Sequence, residues 1–170
     1  MNIMIDIETL GTANDAVILS IGAARFVETD IIDSFHVGVS PESCQQYGLK
    51  IDASTVVWWM SPERDEARAA MMKLDKLDLY EALSGFSDWY GEESLPTWGN
   101  GASFDNVVLR NAFSAVNIQC PWKFWDDRCY RTMKNLAPGV TLERKGTHHN
   151  ALDDAIYQTK HLQLIWESLR

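Results

Sequence analysis

The sequence predicts an α/β fold: a single domain, residues 1–170, on a mixed central sheet that begins with three antiparallel strands and carries helices on its faces. Three observations predict it. The first segment alternates apolar and polar residues with period two, and two Val-, Ile- and Phe-rich runs follow it. Strand-like and helix-like patterns then alternate, and no repeat, low-complexity tract or linker divides the chain. With 170 residues, 46% of them hydrophobic, the chain has enough apolar surface for one substantial core.

In MNIMIDIETLGT, Ile3, Ile5 and Ile7 fall on one face of a strand and Met4, Asp6 and Glu8 on the other. DAVILSIGAARF and IIDSFHVGVS, separated by the polar VETD, read as strand, turn and strand. From Pro41 to Met60 the periodicity is weak, which predicts a loop with a short helix. Ala67, Ala70, Met71 and Leu74 are spaced as a helix, and Leu79, Ala82, Leu83, Phe86 and Tyr90 mark a second one that GEES closes. DKLDLYEAL reads as a solvated helix face. LPTWGNG reads as a short strand ending in a Gly-Asn-Gly turn, before a helix marked by Phe104, Val107, Val108, Ala112 and Val116. Asn150 is placed to cap a last helix reaching Leu169, whose buried stripe is Ala151, Leu152, Ala155, Ile156, Leu162, Ile165 and Trp166.

Composition narrows the class of function. There is no apolar run of about eighteen residues and no basic-then-apolar leader pattern, so the expectation is a cytoplasmic protein without a membrane partner. Cys44, Cys120 and Cys129 cannot all pair and show no C-x-x-C spacing, so they read as free thiols; Cys129, His148 and His149 lack the regular spacing of a zinc site. A formal charge of −9 argues against tight, purely electrostatic binding to nucleic acid. It leaves a nucleic-acid enzyme open, because carboxylates that hold divalent cations count as negative although the loaded site is partly neutralised.

Asp6 and Glu8 share a strand face, where like charges repel unless a cation, water or a raised pKa relieves them. Asp105 begins the helix after TWGNG, and Asp154 lies in the first turn of the last helix. Either position alone is explained by the helix dipole. Together, four carboxylates at three strand or helix ends, with His148 and His149 shortly before the last, match the needs of two-metal phosphodiester chemistry. Hard oxygen ligands suit two Mg²⁺ or Mn²⁺ ions, which at roughly 3.5–4 Å separation clamp the attacking and leaving oxygens of an in-line displacement. An imidazole nearby can take the proton of the attacking water.

DIETLG, WGNGASFDNVVL and HHNALDDA resemble, in order and separation, the three exonuclease motifs of the DEDDh group of DnaQ-like 3'-5' exonucleases, over nearly the whole chain. STVVWWMS, WGNGASFD and FWDDRCYRT are similar to segments of small single-domain members from phages and bacteria, with Pro62 and Cys129 departing from a common Gln and Asp. The resemblance implies a ribonuclease H-like fold, Asp6, Glu8, Asp105 and Asp154 as metal ligands, His149 as general base, and Thr9 and Leu10 against the terminal nucleotide. It implies a hydrolase, dependent on two Mg²⁺ or Mn²⁺ ions, that releases nucleoside 5'-monophosphates from the 3' end of single-stranded nucleic acid, DNA favoured. The alternatives are an exoribonuclease, an oligonucleotide phosphodiesterase, and an inactive binding or scaffold module, which the intact ligand set opposes. Oligomeric state is not specified.

HHNALDD fits the spacing in two registers, His148 with Asp153 or His149 with Asp154. At about 100° per residue, Asp154 falls roughly 100° from the centre of the apolar stripe and Asp153 roughly 160° from it, which places Asp154 at the core boundary and Asp153 toward water. The family pattern selects the same register. Trp58 and Trp59 read as packing groups and Trp98 as packed beside the sheet. Arg110, Arg128 and Arg131 read as solvated or paired, and His36 and His161 as structural or exposed.

Overall fold

The computed structural model describes all 170 residues. Strands β1 (Asn2–Thr9), β2 (Ile18–Phe26) and β3 (Ile31–Val39) form the antiparallel meander that the alternation predicts. Three short strands, β4 (Lys76–Leu77), β5 (Thr97–Gly99) and β6 (Asp127–Cys129), add in parallel to give a mixed sheet of order β4-β3-β2-β1-β5-β6. Helices are α1 (Pro41–Gln46), α2 (Ala53–Trp59), α3 (Asp65–Met72), α4 (Leu79–Tyr90), α5 (Asp105–Ala115), α6 (Tyr130–Leu136) and α7 (Ala151–Ser168). None is long and apolar enough to cross a membrane.

The period of β1 divides the molecule. Ile3, Ile5 and Ile7 join a core with Leu79, Leu83 and Phe86 of α4 and Leu109 and Phe113 of α5. Met4, on the opposite face, packs in a second core with Phe26, Trp98, Tyr130 and the Ala155, Leu162 and Ile165 stripe of α7. Asp6 and Glu8 are on that second face, so they lie under the start of α7. Two local features place that start. The Asn150 side chain accepts the Asp153 backbone N–H at 3.2 Å, a cap that typically contributes about 1 kcal/mol. Gly22, paired with Asp6 across β1 and β2, lets α7 press on the sheet backbone: a Cβ at Gly22 would lie 2.2 Å from the Ala151 carbonyl carbon.

Gly22→Ala should therefore lower stability by about 1–3 kcal/mol, the usual cost of overpacking, and shift the first turn of α7 away from β1. Denaturant unfolding with and without Mn²⁺ checks both effects, since the shift should also weaken metal stabilisation. Wild-type values in both conditions would refute the close approach.

Several elements differ from the sequence expectation. The stretch from Pro41 to Met60 contains two helices, each capped: Ser40 Oγ accepts from Ser43 N at 3.3 Å, and Asp52 Oδ1 accepts from Ser54 N at 2.7 Å. Both helices are too short to express a period. DKLDLYEAL is not a helix face throughout: Lys76 and Leu77 extend the sheet edge, Asp78 caps α4 through Tyr80 N, and Leu79 is fully buried. Leu74 lies beyond the end of α3. His161 is buried and structural, bridging the Tyr130 hydroxyl at 2.6 Å and the Val140 carbonyl at 2.8 Å. Arg110 pairs with Asp127 at 2.8 Å, Trp98 donates to Asn2 Oδ1 at 3.0 Å, and the three cysteines are free.

Candidate active site

A cavity of about 750 Å³ opens where the end of β1 meets the first turns of α5 and α7, and Asp6, Glu8, Thr9, Asp105, His149 and Asp154 all line it. β1 delivers Asp6 and Glu8, and its register with β2 shifts between Glu8 and Thr9, which ends the regular ladder at the site. α5 delivers Asp105 as its first residue. Its start is locked to the sheet because Asn106 Nδ2 donates to the Thr97 carbonyl and to Asp127 Oδ1, both at 2.9 Å. Gly99 lets α5 approach, since a Cβ there would fall 2.4 Å from Asn106 Oδ1.

One carboxylate oxygen from each of Asp6, Glu8 and Asp154 lies within 4.8 Å of the others. Asp105 stands outside that tight group but acts on it, being the largest charge contribution to the raised pKa of Asp6. Burial, followed by the charges of Asp105, Glu8 and Asp154, raises Asp6 well above the ordinary range. Burial, then Asp154 and Asp105, pushes Glu8 up to about 8. Burial pushes Asp105 up to about 7 against the backbone N–H groups that favour its anion. Few protein groups offset this: Gln158 Nε2 donates to Asp6 Oδ1 at 2.8 Å, Arg144 forms an ion pair with Asp154 Oδ1, and the charges of Arg64 and Arg131 favour the anions of Glu8 and Asp105. A set of hard, anionic oxygens crowded at the mouth of a cavity fits Mg²⁺ or Mn²⁺, whose charge removes the mutual repulsion.

This repulsion has a sign in stability. The raised carboxyls hold their protons to higher pH in the folded chain than in the unfolded one, where they titrate near about 4. Folded-state stability without metal is therefore greatest at the acid end of the window and is lost as pH rises from about 4 toward the Glu8 value of about 8. Metal-free melting temperature should fall across that window, and saturating Mn²⁺ should flatten the dependence; thermal scans from pH 5 to 8 check it. A metal-free profile that rises with pH would contradict the crowding.

His149 is in the left-handed region at φ 62°, directly before the Asn150 cap. Its backbone N–H donates to Asp154 Oδ2 at 3.0 Å, which ties the candidate base to the candidate ligand. Burial, then the neighbouring His148 and Arg64, lowers its pKa, so the imidazole is neutral and able to accept a proton near pH 7. Trp58 meets the ring edge-to-face at 4.9 Å and Trp59 at 6.2 Å. The two tryptophans divide the packing role expected of both. Trp59 is 5% exposed and donates from Nε1 to the Thr9 carbonyl at 2.8 Å, pinning α2 to the end of β1. Trp58 is 39% exposed, lines the cavity, and carries the Arg64 guanidinium 4.1 Å above its ring.

The register choice in HHNALDD matches this geometry, because Asp154 joins the carboxylate group and Asp153 does not. Asp153 is not merely solvated, however: it accepts the Thr147 N–H at 2.8 Å and so holds the loop bearing the histidines. Thr9 lines the cavity, its hydroxyl donating to the Gly11 carbonyl at 2.6 Å. Leu10 does not; its side chain packs against Leu19 and Trp59 and against the larger core. The sequence reading missed Gln158, Arg144 and Lys134 and gave Arg131 no role, yet all four line the cavity. Gln158 could have been found four residues after Asp154 on the same helix face. Arg144 lies in irregular chain and carried no periodic signal.

The description "3'-5' exoribonuclease Rv2179c-like domain" fits this chain over residues 1–166. The chain belongs to the Rv2179c-like family. It is a 3'-5' exonuclease, a hydrolase of phosphodiester bonds. Solved structures similar to this Rv2179c-like chain include exonuclease X in complex with 5' overhanging duplex DNA, at 19% identity and TM-score 0.60, covering 99% of this chain and 92% of that one. The nuclease domain of 3'hExo, a DEDDh family member bound to rAMP, is 13% identical with TM-score 0.64, covering 98% and 92%. Exonuclease I from Methylocaldum szegediense is 14% identical with TM-score 0.66, covering 98% of this chain and 40% of that one. These likenesses show the shared ribonuclease H-like, DEDDh exonuclease fold. No curated protein matches.

Proposed function

We propose that residues 1–170 form one catalytic domain in which Asp6, Glu8, Asp105 and Asp154 hold two Mg²⁺ or Mn²⁺ ions and His149 is the general base. Its substrate is the single-stranded 3' end of RNA, and its products are nucleoside 5'-monophosphates. One observation carries the reading: oxygens of Asp6, Glu8 and Asp154 converge within 4.8 Å in an open cavity that the half-buried imidazole of His149 also lines. The family description supports RNA over the DNA preference that the sequence motifs implied.

When bound, the ions supply positive charge that offsets the phosphoryl and leaving 3' oxygens. The protein's own groups do the rest. Gln158 fixes the rotamer of Asp6, and the His149 N–H fixes that of Asp154, so the ligand oxygens are oriented before substrate arrives. The imidazole of His149 accepts the proton of the attacking water. Thr9 and the exposed ring of Trp58 border the space for the terminal nucleotide, and aromatic stacking is indifferent to base identity. Arg131 and Lys134 on α6 offer cations to the preceding phosphates, which gives an otherwise acidic protein a local route to a polyanion.

Matched 20-mers of RNA and DNA and a dinucleotide, digested under one set of conditions, test this reading. Successive 3' shortening of the RNA 20-mer with release of 5'-monophosphates is expected, with the DNA 20-mer slower. Equal or faster DNA digestion would return the preference to DNA, and turnover confined to the dinucleotide would mark an oligonucleotide phosphodiesterase.

A further inference from the structure

His148 takes no part in the chemistry described above, yet it stands beside the residues that do. Adjacent residues of extended chain project to opposite sides, whereas here the left-handed φ of 62° at His149 turns both imidazoles the same way, with ring centroids 4.5 Å apart. One ligand atom each of His148, His149 and Asp154 lies within 4.8 Å of the others. The His149 backbone N–H holds Asp154 Oδ2, and the ring nitrogens are left free. Asp154 is bonded through both oxygens, but a carboxylate has about four lone-pair directions, so a further ligand bond is available to it. His148 is exposed and has room to turn its ring toward a shared ion.

We propose that His148, His149 and Asp154 form a second, distinct metal site for a borderline-soft divalent cation of the Zn²⁺ class, overlapping the carboxylate cage at Asp154. Two imidazoles and one carboxylate, with a fourth position open, are a donor set that Zn²⁺ accepts readily and Mg²⁺ does not, because Mg²⁺ favours oxygen and keeps its waters. Occupancy ties up the nitrogen with which His149 would accept a proton, and competes for Asp154. Zn²⁺ bound here is therefore an inhibitor of the Mg²⁺- or Mn²⁺-supported reaction, and the motif HHN discriminates between classes of metal. The inference rests on the assignment of Asp154 and His149 under the proposed function.

Two variants separate the sites. Zn²⁺ binding is measured by titration calorimetry on the full chain in excess Mg²⁺, Co²⁺ absorption reports imidazole coordination, and Mn²⁺ binding is read from the melting temperature. His148→Ala should weaken Zn²⁺ binding by about tenfold or more, remove the Co²⁺ bands, raise the half-inhibiting Zn²⁺ concentration to match, and keep Mn²⁺-supported activity. Asp6→Asn should lose Mn²⁺ stabilisation and keep Zn²⁺ binding. Zn²⁺ bound equally by wild type and His148→Ala, or lost together with Mn²⁺ in Asp6→Asn, would overturn the proposal and place Zn²⁺ in the carboxylate cage. Mn²⁺ stabilisation surviving in Asp6→Asn would count against the cage itself and leave the His148 comparison as the test of the second site.

Discussion

Asp6→Asn is expected to cut exonuclease turnover by about 10²–10³-fold, the scale felt when one preorganised contact to transition-state charge is lost, while the metal-free protein becomes more stable. Both effects follow from the position of Asp6. Its pKa is raised by burial and by the Asp105, Glu8 and Asp154 charges, so removing its own charge relieves repulsion. The amide keeps an Oδ1 acceptor for Gln158 Nε2, which separates loss of charge from loss of packing. A ligand that binds only the folded state at about 100 times its Kd adds about 2.7 kcal/mol, so Mn²⁺ should raise the wild-type melting temperature and leave that of Asp6→Asn nearly unmoved. Equal Mn²⁺ shifts in the two proteins would remove Asp6 from the metal site.

The parts of this site that could be read in the sequence are those fixed by a period or a cap. Asp6 and Glu8 followed from the alternation of Ile3, Ile5 and Ile7, and the sheet does carry them on the face opposite the isoleucine core. Asp105 and Asp154 followed from helix starts, which the structure places one residue and four residues into their helices. What stayed hidden is held by long-range contact. β4 and β6 are two and three residues long and exist because β3 and β5 offer them a partner edge. Arg144 reaches Asp154 from irregular chain, and Trp58 becomes a cavity wall only because Trp59 pins α2 to Thr9. Leu10 shows the converse: the family resemblance paired it with Thr9, whereas here Thr9 lines the cavity and the half-buried Leu10 packs against the core beside it.

Gly22 illustrates how closely fold and site are joined. The residue has no chemistry of its own, yet its missing side chain sets the distance between the strand that carries Asp6 and the helix that carries Asp154. Thr147 acts similarly from the other side: its N–H bonds to Asp153 and its hydroxyl to Glu66 of α3, so the residue before the two histidines is tied to both α7 and α3. The cavity is thus built by a few exact approaches of backbone to backbone, and the charged groups inherit their geometry from them.

His149→Ala should lower turnover by about 10²–10⁴-fold with Mn²⁺ stabilisation retained, because removing a general base costs on that scale while the metal ligands stay in place. His149 adopts φ 62°, a region that histidine and asparagine enter more readily than alanine, so His149→Asn separates loss of the base from loss of loop geometry. The wild-type rate should show an acid limb below the ordinary histidine value of about 6.5, since burial and the His148 and Arg64 charges lower the pKa, and both variants should lose it. His148→Ala should stay near wild type in Mn²⁺. Asp153→Ala should lose a modest fraction of activity, because its carboxylate accepts the Thr147 N–H and steadies the loop. A dead His148→Ala beside an active His149→Ala would reverse the register and move the metal ligand to Asp153, against the position of Asp154 within 4.8 Å of Asp6 and Glu8.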